Sequence, residues 1–130
     1  MTIDNDFNLA EMTQSQSDKY VTHNTENRRI AAAVAGRKTI ALTDANYTLN
    51  ASDTDGTEEW RYKFLTFTGT LTAGRDVVMP AKGPEWVVFN NGTGQTLTFK
   101  ITGQTGVAVA NNAKARIYYD DVAGDIIAGV

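Results

Sequence analysis

Acid–base, nucleophilic and metal chemistry ordinarily run through histidine, cysteine, activated serine or paired acids, and this chain is sparing with all but the last. His23 is the single histidine, and cysteine is absent. A Ser-His-Asp arrangement would have to join His23 to one of three serines, Ser15, Ser17 or Ser52, and none of them sits in a G-x-S-x-G elbow. We therefore read His23 as a packing or capping residue. In a symmetric trimer, three copies of His23 or Asn27 meeting on the axis would suit an ion or a water. Lack of cysteine removes disulfides, thiolate nucleophiles and cysteine-based zinc sites together. No catalytic residue, metal ligand or cofactor is expected.

Acidic clusters are the remaining chemical candidates. The loop Asp53-Thr54-Asp55-Gly56-Thr57-Glu58-Glu59 has a calcium-like density of carboxylates. A 12-residue EF-hand loop centred on Gly56 would need an acid at position 51 and Glu at position 62, where the chain has Ala51 and Tyr62. A solvated turn is the simpler reading. Asp120, Asp121 and Asp125 likewise read as a turn with Asx bonding. The fifteen acids show no spacing that singles out a glycosidase pair. Trp60, Tyr62, Trp86, Tyr118 and Tyr119 would make a sugar-stacking face if they shared a surface, although aromatics alternating along strands more often belong to a core.

Behind these residues the chain divides in two. From Phe7 to about Ala35, the positions Leu9, Thr13, Gln16, Tyr20, His23, Asn27, Ile30 and Val34 recur at spacings of four and three, the a/d seam of a heptad repeat. The seam is half polar, so an isolated helix of this kind gains little by burial and needs a partner to order it. Polar seam residues can also set register and oligomer number. Residues 1–36 are accordingly expected to be a helical or extended arm for assembly or docking, ending at Gly36.

Beyond Gly36 the period becomes two, the spacing of strands whose side chains alternate between faces. Runs are expected near 38–42, 46–50, 60–67, 75–79, 85–90, 95–101, 105–109 and 114–119, with a last apolar run at 125–130. In the third run the alternation of Trp60, Tyr62 and Phe64 slips by one before Leu65 and Phe67, which predicts a bulge or a strand crossing between sheets. Eighteen threonines, eleven glycines and two prolines suit strands and turns. The fold expected over 37–130 is mainly β, an antiparallel β-sandwich of jelly-roll type.

A net charge of −3 and a pI near 5.0 argue against a nucleic-acid partner, which selects for a basic face. No apolar run approaches the ~20 residues that span a bilayer, and the first residues lack a secretory pattern, so a soluble chain made in a cytoplasm is expected.

Two stretches carry a resemblance. Residues 14–30, QSQSDKYVTHNTENRRI, resemble the N-terminal signature of a family of tailed-bacteriophage structural, tail-fibre-like proteins, roughly Q-x-Q-x-x-K-x-V-T-H-N-E. Gln14, Gln16, Lys19, Val21, Thr22, His23 and Asn24 match it, and Thr25 stands where that signature has an acid. Residues 65–121 are similar to a β module of phage tail and fibre proteins, through Val77 to Pro80, Trp86 to Asn90, Leu97 to Lys100, Gly106 to Val109 and Tyr119-Asp120. The resemblance implies a non-enzymatic virion structural protein, made in the host bacterial cytoplasm and assembling as a homotrimer. Its implied docking partner is another virion protein of the portal, neck, tail or capsid, reached through residues 1–36. A carbohydrate-binding module that recognises a host surface glycan is the alternative.

Overall fold

The computed structural model describes residues 19–49 and 59–129, with side chains from residue 24 onward. Helix α1 covers Lys19–Ala35, a stretch free of glycine and proline and closing in alanines, which favour helix. Residues 7–18 of the expected arm, with Leu9, Thr13 and Gln16, lie outside the described residues, as does the loop 50–58. The helix stops where close packing demands glycine: a Cβ at Gly36 would lie 2.6 Å from the Ala32 Cα and 2.8 Å from the Tyr62 ring. The Ala32 carbonyl there accepts hydrogen bonds from Gly36 N (3.0 Å) and Lys63 N (2.9 Å), joining the helix end to the body.

Nine strands follow among the described residues: β1 (Arg37–Ala41), β2 (Tyr47–Thr48), β3 (Phe64–Thr68), β4 (Arg75–Val78), β5 (Trp86–Asn90), β6 (Leu97–Lys100), β7 (Val107–Val109), β8 (Lys114–Asp120) and β9 (Asp125–Ala128). The mainly β expectation holds. Strand positions also follow the alternation closely in the second half, where buried and half-buried residues alternate along β3, β5 and β6. Residues 59–61 differ: Glu59–Arg61 form a 3-10 turn, so the slip in phase before Leu65 is the entry to β3 and not a bulge within one long strand.

The sense of pairing differs from the antiparallel expectation. One sheet has the order β1-β3-β5-β8-β9 and the other β2-β4-β6-β7. The pairs β1·β3, β3·β5, β2·β4 and β4·β6 are parallel, and only β5·β8, β6·β7 and β8·β9 are antiparallel. From β1 to β6 the chain therefore winds, one strand in the first sheet and the next in the second, before the last three strands close with antiparallel pairing. Parallel neighbours need a crossover connection, and here the strand in the opposite sheet supplies it.

The two sheets enclose one core. Leu65, Phe67, Trp86, Val88, Ile117 and Ile126 from the first sheet meet Val77, Leu97, Phe99 and Val109 from the second, all at most 3% exposed. Phe67 and Phe99 pack edge to face across the interface, with centroids 5.2 Å apart, an arrangement of complementary ring quadrupoles worth about 0.5–1.5 kcal/mol beyond area burial. Asn90, at the end of β5, is a polar staple inside this core. Its Nδ2 donates to the carbonyls of Gln95 (2.7 Å) and Val109 (3.0 Å), and its Oδ1 accepts from Thr93 Oγ1 (2.5 Å).

Candidate functional site

The seam residues whose side chains the structure describes, Asn27, Ile30 and Val34, lie on the outside of α1. Arg29, Ala32 and Ala33 face the body and are buried, and Arg29 Nη1 holds Glu26 Oε1 at 2.6 Å. On the other side Asn27 is exposed, Ile30 is 47% exposed and Val34 70% exposed. Those three keep the seam spacing of three and four, and Tyr20 and His23 occupy the preceding seam positions of the same helix. Apart from Ile30 and Val34, the one large apolar residue exposed among the described residues is Val122. The helix thus packs Arg29, Ala32 and Ala33 on the body and leaves Ile30 and Val34 facing away.

The five aromatic residues considered as a sugar platform do not share a face. Trp60 and Trp86 are both 0% exposed. Trp86 Nε1 donates to the Trp60 carbonyl at 2.8 Å, and the Trp60 ring lies under the Arg61 guanidinium (4.3 Å) and the Lys82 ammonium (5.5 Å). Tyr62 and Tyr119 pack against the core, while Tyr118 points to the other side of β8. Neither indole has a ring face open to a pyranose.

Carboxylates that looked like ligand candidates serve the backbone instead. Asp125 accepts from Gly106 N (2.8 Å) through Oδ2 and from Ile126 N (2.7 Å) and Ile101 N (3.3 Å) through Oδ1, tying the β8–β9 hairpin to the loop between β6 and β7. Asp120 Oδ2 accepts from Ala123 N at 2.9 Å, a side-chain-to-backbone bond three residues on that closes the β8–β9 turn. Glu59 accepts a hydrogen bond from the Tyr47 hydroxyl at 2.5 Å. Residues 53–58 of the acidic loop lie outside the described residues. Among the described residues no three His, Asp or Glu side chains converge as a metal site would require.

Asp44, in the turn-forming Thr43-Asp44-Ala45 stretch between β1 and β2, stitches that connection to β4. It accepts from Thr72 Oγ1 (2.6 Å), Thr72 N (3.1 Å) and both Nε and Nη2 of Arg75 (3.1 and 2.8 Å). The Thr72 hydroxyl and amide, then the Arg75 guanidinium, lower its pKa from 3.8 to about 2. Burial pushes Asp125 up, but the amides of Gly106, Ile101, Ile126 and Thr105 outweigh it and leave the carboxyl below its usual value. A depressed carboxyl stabilises the fold fully above its unfolded pKa and loses that contribution as pH falls toward the folded value. The thermal midpoint should therefore drop on acidification from about pH 4 towards pH 2. A double variant, Asp44→Asn with Asp125→Asn, should start lower at neutral pH and follow a flatter pH curve, as differential scanning calorimetry would read.

A shallow groove of about 330 Å³ lies on the outer face of the first sheet, lined by Arg37, Phe64, Thr66, Val87, Phe89 and Lys114. Phe64 stands beside Val87 in register and Thr66 beside Phe89, making a two-by-two floor. Arg37 lies over the Phe64 ring at 4.5 Å and Lys114 over the Phe89 ring at 4.8 Å. Neither cation has a carboxylate partner among the described residues, whereas neighbouring Arg116 and Lys63 both engage Glu85. No local motif announces this groove, because its residues come from four strands and only the pairing register assembles them. No helix among the described residues is long and apolar enough to cross a membrane. No family model, curated protein or solved structure matches the chain.

Proposed function

We propose that the chain is a non-enzymatic structural subunit of a bacteriophage virion, assembling with copies of itself as a homotrimer through the outer face of α1 and docking on another virion protein through residues 1–36. The observation that carries this reading is the outward seam: Ile30 and Val34 are exposed on a helix whose opposite face is already packed on the body. Apolar side chains at heptad spacing gain most when further helices cover them, and a polar residue such as Asn27 within the seam selects register and helix number. The resemblance of residues 14–30 and 65–121 to phage tail-fibre-like proteins supports the setting. A host-glycan-binding role is the weaker reading, since the two tryptophans that would lead it are buried.

Light scattering coupled to size exclusion tests the assembly directly. The unmodified chain is expected to elute with the mass of three copies, and a variant carrying Ile30→Asp and Val34→Asp with the mass of one. Because both positions are solvent-facing, the thermal midpoint of the β body should stay within a few degrees. A single-copy mass for the unmodified chain at high concentration would overturn the reading.

A further inference from the structure

We propose that the turn between β8 and β9 of one copy inserts into the Arg37/Lys114 groove of a second copy, a head-to-tail contact separate from the helix seam. The inference rests on the reading that the chain assembles with itself, and it names a second surface that does so. The turn has the shape and chemistry of a knob. Val122 at its tip is 96% exposed, and beside it Asp121 is exposed with no ion-pair partner among the described residues. The tip is also held rigid: Asp120 caps Ala123 N, Gly124 N returns to the Asp120 carbonyl at 2.8 Å, and Gly124 takes a left-handed φ of +64°. Preorganised segments lose little entropy on docking.

The groove offers the complement, an apolar floor of Phe64, Val87 and Phe89 beneath two cations without carboxylate partners among the described residues. Val122 would enter the floor while the Asp121 carboxylate lies against Lys114 or Arg37. A copy cannot fill its own groove in this way. Lys114 begins β8 and the knob follows its last residue, Asp120, so about 20 Å of extended strand separates them at ~3.3 Å per residue. Face-to-face pairing of two grooves is disfavoured as well, since it would oppose cation to cation. A knob in a distant groove is a heterologous contact, which closes into a ring when the rotation between copies allows.

The absence of cysteine makes a disulfide test clean. The full chain carrying Val122→Cys together with Thr66→Cys should form disulfide-linked dimers and trimers on mild oxidation, seen on non-reducing gels, whereas neither single substitution should do so. In parallel, Arg37→Glu with Lys114→Glu should lower association at least tenfold, and adding Asp121→Lys should recover most of it. A multi-copy mass with no inter-copy disulfide and no response to the charge reversals would overturn this contact while leaving the seam standing. Linkage by Val122→Cys alone would also overturn it, by showing that two knobs meet each other. A single-copy mass for the unmodified chain would remove both readings.

Discussion

Replacing Trp86 with alanine is expected to lower the stability of the fold by about 3–5 kcal/mol, the usual cost of removing a large buried aromatic side chain and leaving a cavity. Trp86 is 0% exposed and sits on the central strand β5. Its indole also fills space that the neighbouring backbone has been shaped to leave. A Cβ at Gly83 would come within 2.7 Å of the Trp86 ring, and Gly83 adopts φ +117°, which disfavours any other residue. At this chain length each kcal/mol moves the thermal midpoint by about 3–5 °C, so a drop of roughly 10–25 °C is expected by calorimetry. Phenylalanine separates the volume from the hydrogen bond. Trp86→Phe withdraws the donor from the Trp60 carbonyl, whereas the buried Trp60 Nε1 has no acceptor of its own among the described residues. Trp60→Phe should therefore cost less than Trp86→Phe, and the opposite order would show that the bond between them contributes little.

Asn90→Ala should cost about 2–5 kcal/mol, since each buried group stripped of its partner loses about 1–3 kcal/mol. Asn90 and Thr93 are 0% and 1% exposed. The side-chain amide holds the carbonyl of Gln95 in the turn between sheets and that of Val109 on β7, so its loss breaks a tie between the two layers. Thr93→Val removes the hydroxyl that donates to Asn90 Oδ1 and also bonds the Gln95 backbone, and about 1–3 kcal/mol is expected for it. The two substitutions share one network and should be non-additive, with a coupling of about 0.5–3 kcal/mol in a double-mutant cycle. Urea unfolding would read both values. Additive costs would mean that Asn90 acts through packing alone.

Strand positions in the second half were legible because alternation is a local signal. Leu97 and Phe99 point inward and Thr98 and Lys100 outward wherever the strand pairs. The same alternation misled the topology. Parallel sheets covered on both faces read as continuous apolar runs, but these sheets are covered on one face only, and their sequences look antiparallel. Trp60 shows a second limit. An aromatic at every other position suggested one strand through residue 64, yet Glu59–Arg61 turn as a 3-10 segment, because burying Trp60 under Arg61 and Lys82 outweighs its strand preference. The helical spacing over Asn27, Ile30 and Val34 was also readable, but not which side of the helix would meet the body.

By itself, then, the sequence determined a chain without cysteine and with a single histidine, a heptad spacing ahead of Gly36 that fits a helical or extended arm, and a series of half-buried strands, since each of these depends on residue type and short-range periodicity. Tertiary structure alone decided that the chain winds between two sheets, that the tryptophans vanish into the core, and that the seam faces outward. It also placed Arg37, Phe64, Val87 and Lys114 in one groove. Those outcomes depend on register between strands far apart in sequence, which is set by how the whole core packs.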